Sequence, residues 1–140
     1  MEERLKKLQT RIAVRAIIVN NERKVILIRR AMGTFEGGRW CLVGGKLDEN
    51  EGLDMAISRE TQEEVGEQFP LTYYREVENP DISTGVKWIT HYFVGKSNNL
   101  PTHLDTREVS EAAFFSESEI ETLDIAFDHK TVLSQFFKKK

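Results

Sequence analysis

The stretch Gly44-Gly-Lys-Leu-Asp-Glu-Asn-Glu-Gly-Leu-Asp-Met-Ala-Ile-Ser-Arg-Glu-Thr-Gln-Glu-Glu-Val-Gly66 decides how the rest of the chain is read. A helix is predicted to follow Glu51. At about 100° per residue, Glu60, Glu63 and Glu64 then fall within one arc of roughly 100°, so three carboxylates share a face. Like charges at such spacing repel. Many Glu-rich faces are merely solvated, but a helix that keeps three acids together also suits a hard divalent cation, Mg²⁺ or Mn²⁺, which takes oxygen ligands. Beside the acids, Ile57, Thr61 and Val65 recur every four residues and predict a core-facing stripe.

The flanks give this helix ends. Gly44-Gly45 allow a tight turn and close backbone approach to a phosphate or metal. Asp48, Glu49, Asn50 and Glu51 offer capping groups and negative charge at the helix start. Gly66 is a natural left-handed stop.

Gly45, five residues, Glu51, seven residues, Arg59-Glu60, then Glu63-Glu64 and Gly66 resemble the Nudix hydrolase box. Seven fixed positions over some two dozen make that pattern far more specific than a lone glycine motif. Thr61 and Glu67 stand where the family usually has aliphatic residues, and Val43 stands where relatives commonly carry proline. The resemblance implies an α/β/α sandwich with a mixed central sheet, as a single domain over residues 1–140. It implies a pyrophosphohydrolase in which Glu60, Glu63, Glu64 and the Gly44 carbonyl hold Mg²⁺, and Arg59 orients a neighbouring glutamate. Glu60, Glu64, Arg59 and Glu111 are the catalytic candidates. The general base is left open between Glu60 and a loop acid, Glu108 or Glu111. On the substrate side stand Arg29 and Arg30, whose guanidinium groups suit phosphate oxygens, and Glu51, which supports the cluster or pairs with Arg59.

The composition is that of an ordinary soluble globular protein. The 140 residues can bury a core without staples, and a net charge of −3 argues against a general nucleic-acid or membrane-surface binder. Cys41, the only cysteine, lies in the apolar run Trp40-Cys41-Leu42-Val43 and reads as a buried small hydrophobe. No stretch is long enough to cross a membrane and MEERLKKLQT lacks a signal peptide's apolar core, so a cytoplasmic protein is expected.

Residues 2–9 read as a short charged helix, a loose end or an oligomer contact, which leaves a homodimer open. Strands are predicted at Arg11 to Val19, at Val25 to Ile28 as its hairpin partner, at Trp40 to Val43, at Leu71 to Glu78, at Val86 to Gly95 and at Ala112 to Phe115. Ser116 with Glu119 signals a capped helix, and Asp128 a cap for another with Val132, Leu133, Phe136 and Phe137 inside. Tyr73, Tyr74, Trp88, Tyr92 and Phe93 are mainly core candidates, with one base-stacking ring possible among them.

Phe127-Asp128-His129 is similar to a stretch of Nudix proteins acting on ADP-ribose-like compounds. With no basic patch in the sequence, the expected substrate is a small nucleotide, ADP-ribose or a related nucleotide sugar. The alternatives are a nucleoside triphosphate pyrophosphohydrolase that cleans the nucleotide pool, and a non-catalytic nucleotide sensor.

Overall fold

The computed structural model describes residues 8–138. Seven strands form one mixed sheet: β1 (Gln9–Val19), β2 (Val25–Arg30), β3 (Trp40–Cys41), β4 (Val43–Lys46), β5 (Leu71–Asp81), β6 (Val86–Lys96) and β7 (Val109–Phe115). The path runs β3-β2-β1-β6-β5, with β4 also on β1 and β7 also on β2. Only β1 and β6 run parallel, in register from Gln9 opposite Val86 to Val19 opposite Lys96. Among the described residues three helices accompany the sheet: α1 (Leu53–Val65), α2 (Glu117–Thr122) and α3 (His129–Lys138).

Alternation along β1 builds the layers. Val14, Ala16 and Ile18 pack with Ala56 and Ile57 of α1 on one face. Ile17 packs with Ile120 of α2 and with Val132, Leu133 and Phe137 of α3 on the other. The sandwich expected from the sequence is therefore present, with the α1 stripe Ile57, Thr61 and Val65 fully inside. Thr61 tolerates its aliphatic site because its hydroxyl donates to the carbonyls of Ile57 and Ser58 at 3.0 Å each. Past Gly66, which takes φ +72° as the helix stop, Phe69 supplies the apolar anchor that Glu67 lacks.

Several local expectations need correction. The first strand begins at Gln9, two residues early, and residues 2–7 of the helix predicted over 2–9 lie outside the described residues. β2 meets β1 only at Val19 opposite Val25; its long partner is β7, because β4 occupies the edge of β1 from Ala13 to Ala16. The run Trp40 to Val43 is two strands, broken at Leu42, where the chain passes from the edge of β2 to that of β1. Asn79 and Pro80 belong to β5, so the turn is only residues 82–85. Gly52, not one of the four preceding polar residues, caps α1 and does so without a side chain. The capping box of Ser116 with Glu119 is present as expected.

Candidate active site

β4 carries Gly44 and Gly45 along β1, against the C-terminal half of α1. A Cβ on Gly44, which has φ +146°, would strike the Val14 carbonyl and the Arg15 backbone. One on Gly45 would sit 2.6 Å from a carboxylate oxygen of Glu60. The paired glycines thus serve close approach: strand backbone and helix carboxylates meet with no side chain between them.

Glu64 is buried and accepts the Gly44 N–H at 2.9 Å. Burial raises its carboxyl pKa to about 8; Arg15 and the Gly44 N–H oppose this, while Glu60 and Glu108 add to it. Glu60 is likewise raised by burial, against the pull of Arg59. Two acids short of water and repelling each other form a site that a cation would relieve. Glu108 faces the same space from the loop before β7. That loop hangs from α1, since the Asp105 N–H donates to the Glu64 carbonyl at 3.0 Å and the Glu108 N–H to the Asp105 carbonyl at 3.0 Å.

Arg59 gathers the other acids. It donates to both oxygens of Glu51 at 2.7 and 3.0 Å, to Glu60 at 3.1 Å, to Glu63 at 3.0 Å and to the Lys46 carbonyl at 3.0 Å. Glu51 additionally accepts the Asp48 N–H at 2.9 Å, so it ties the loop to Arg59. Glu63 points outward, with its side chain 54% exposed. Among the described residues no three Asp, Glu, His or Cys side chains already stand together as a metal cage. Glu60 and Glu64 are hard oxygen donors lining the cleft and fit a divalent ion such as Mg²⁺; the Gly44 carbonyl, which also accepts from Arg15 at 3.2 Å, could add a third oxygen, and Glu63 would reach the ion by turning away from Arg59.

Glu60, Glu64 and Glu108 open into a cavity of about 970 Å³ on the face of β1 and β6. Ala13, Arg15, Trp88 and Thr90 contribute to its lining from the sheet, and Asn79 from β5. Phe127, Asp128 and His129 line it at the start of α3, and Thr34 and Phe35 from the loop after β2. Three cations face it: Arg15, Arg30 and Lys46. Arg30 donates to the Phe35 carbonyl at 2.6 Å, which holds that loop at the rim. Arg29 and Glu111, paired across β2 and β7 at 3.3 Å, do not line the cavity. Glu111 is thereby separated from the acids with which the sequence groups it. Its neighbour Glu108 is the loop acid at the cleft.

Arg15 is the residue that sequence reasoning missed. Though buried, it donates to the carbonyls of Leu42 and Gly44 at 2.9 and 3.2 Å, and its guanidinium lies 5.2 Å from the Phe127 ring centre. The signal was present as a charge inside the otherwise apolar run Ile12 to Val19. His129 is also buried, and its Nδ1 accepts the Leu42 N–H at 3.1 Å. Asp128 turns its carboxylate to Asn79 and, at 3.5 Å, to the Tyr92 hydroxyl. Of the sheet aromatics, Tyr92 and Phe93 are core while Trp88 reaches the cavity.

The profile of the NUDIX domain matches residues 9–136. Over 80 residues the chain is 39% identical to the 8-oxo-dGTP diphosphatase of Escherichia coli (strain K12), a match covering 55% of this chain and 60% of that protein. Over 50 residues it is 38% identical to the 8-oxo-dGTP diphosphatase of Proteus vulgaris, covering 36% and 45% respectively. The chain thus spans less than two thirds of the length of these curated relatives. Among solved structures, the MutT NUDIX hydrolase from Burkholderia pseudomallei superposes with TM-score 0.77 at 25% identity, covering 91% of this chain and 98% of that one. The NUDIX domain of Shewanella oneidensis NrtR, crystallised with ADP ribose, has TM-score 0.78 at 21% identity over 94% and 88%, a likeness of fold.

Proposed function

Because this chain belongs to the NUDIX domain family, we propose that it is a divalent-metal-dependent pyrophosphohydrolase that cleaves the phosphoanhydride of a nucleoside triphosphate, releasing nucleoside monophosphate and pyrophosphate. The observation that carries this reading is the pairing of half-buried Glu60 and buried Glu64 with Gly44 and Arg15 at one cavity large enough for a nucleotide. A bound Mg²⁺ would neutralise phosphate oxygens and acidify the attacking water. Water adds to phosphorus as the anhydride P–O bond breaks, and the proton it loses goes to a carboxylate facing the cleft, Glu60 or Glu108. Arg15, with two of its contacts fixed on backbone carbonyls, and Lys46 bind phosphate oxygens. Arg59 is a positioning residue, holding Glu51 and Glu60 in place.

The preference for a triphosphate rests on charge. ADP-ribose, the substrate favoured by the sequence, was favoured partly because no basic patch was visible. The fold brings Arg15, Arg30 and Lys46 from distant positions into one cleft that also holds Glu60, Glu64, Asp81, Glu108 and Asp128, and with bound metal offsetting the acids the three cations suit the more highly charged ligand. Two relatives are also named 8-oxo-dGTP diphosphatases. ADP-ribose remains the second reading, supported by a cavity near the upper end of the usual range and by the ADP-ribose-bound neighbour. A panel of triphosphates, ADP-ribose and nucleotide sugars, with product identified by ion chromatography in Mg²⁺ and in chelator, tests both. At least a tenfold advantage in kcat/KM for a triphosphate is expected. A tenfold advantage for ADP-ribose would reverse the preference, and nucleotide binding without any turnover would make the protein a sensor.

A further inference from the structure

The start of α3 holds a polar group that the proposed reaction does not use. His129 is only 2% exposed and lies on the cavity wall. A backbone N–H can only donate, so the bond from Leu42 to Nδ1 fixes that nitrogen as the acceptor and puts the ring's proton on Nε2. Nε2 has no hydrogen-bond partner among the described residues. It is also not among the buried polar atoms sealed away without a partner, which leaves the cavity as the space it meets.

We infer that His129 determines base specificity: its Nε2–H is a fixed, uncharged donor to an acceptor atom on the nucleobase of the bound nucleotide. A neutral donor competes poorly for phosphate with Arg15 and Arg30, which line the same cavity. Asp128 beside it already accepts from the Asn79 amide and, at 3.5 Å, from the Tyr92 hydroxyl; the lone pairs these leave repel phosphate and suit a ring N–H or amino group. Donor and acceptor together match a ring edge that presents both. The position is also robust, because burial and the nearby Arg15 and Arg30 disfavour a second proton on the ring. Loss of such a donor should blunt discrimination, since a site built to pair with an acceptor rejects ligands that lack it.

This inference rests on the cavity taking a nucleotide, and the test separates the two. The full chain, labelled with ¹⁵N-histidine and free of metal, is titrated with nucleoside monophosphates and with ribose 5-phosphate; His129→Gln assigns the His129 signal among the 3 histidines. The Nε2 resonance should move with the nucleoside monophosphate of the preferred base and stay within error with ribose 5-phosphate. Binding seen at backbone amides with a silent Nε2, or equal movement with both ligands, overturns the inference and leaves the hydrolase reading standing. No binding of any nucleotide overturns both. In kinetics, His129→Leu should compress the spread of kcat/KM among bases at least fivefold through KM, while His129→Gln, which can still accept from Leu42 and donate, keeps the order of preference. An equal loss on every base in His129→Leu would mark a merely structural histidine, and if that variant does not fold the titration and His129→Gln decide.

Discussion

Replacing Glu64 with Gln separates what this acid costs the fold from what it gives the site. A carboxyl whose folded pKa lies above its unfolded value holds its proton more tightly in the fold. Its contribution therefore favours folding at low pH and is lost as pH rises from 4.5, its ordinary value, towards about 8. At about 1.4 kcal/mol per tenfold, the ceiling on that loss is about 5 kcal/mol, and water reaching the cleft should reduce it to a few. Gln retains an oxygen for the Gly44 N–H and carries no charge, so Glu64→Gln should be the more stable protein at about pH 8.5 and near parity at about pH 5. For a chain of this size, roughly 3 °C accompanies each kcal/mol, so a gain of at least roughly 4 °C in Tm is expected at the higher pH in chelator. Glu60, also raised by burial, keeps part of the slope in the variant. Mg²⁺ should raise the Tm of the wild type at the higher pH and that of Glu64→Gln much less, and kcat should fall at least about a hundredfold. Parallel Tm curves for the two proteins between these pH values would refute the claim that a strained carboxyl sits at the centre of the site.

Gly45→Ala sets a methyl 2.6 Å from a Glu60 oxygen, so kcat should fall at least about tenfold while secondary structure by circular dichroism is unchanged. Arg59→Gln removes the guanidinium shared by Glu51, Glu60 and Glu63; the half-saturating Mg²⁺ concentration should shift several-fold, read from activity against metal. Glu111→Gln should leave kcat/KM within about twofold, because this acid pairs with Arg29 outside the cavity, whereas Glu108→Gln should lower kcat at least about tenfold. Ser116→Ala should cost about 1 kcal/mol in urea unfolding through loss of the α2 cap, with no change in turnover.

The parts of the site written close together in the chain were legible. The box from Gly45 to Gly66 places its acids by helical periodicity and its glycines by backbone need, and both follow from local rules. Strand positions were similarly readable from β-branched runs. Pairing was not: Val25 follows Val19 after a short turn and looks like one arm of a hairpin. Yet β4 returns later to occupy the edge of β1 and leaves β2 to β7. Strand exchange of that kind depends on which edge is free when the chain comes back, and no local pattern carries it.

The same limit explains the cations. Arg29 and Arg30 are neighbours in sequence, but alternation along β2 sends one towards Glu111 and the other to the cavity, so only the second shares a space with Arg15 and Lys46. Arg15 had a readable warning, a charge between Val14 and Ala16 within the buried stretch from Ala13 to Ile18. Burying a guanidinium is costly unless its donors are met, and the two carbonyls that meet them, Leu42 and Gly44, lie about the break between β3 and β4. The break that defeats the prediction of one continuous strand therefore also supplies the Leu42 carbonyl to Arg15 and the Leu42 N–H to His129. A single residue between two strands links Arg15, proposed to bind phosphate, to His129, proposed to recognise the base. Disturbing it, as by Leu42→Pro, which deletes the N–H, should change base preference together with overall rate, where a defect confined to the α1 carboxylates should change rate alone.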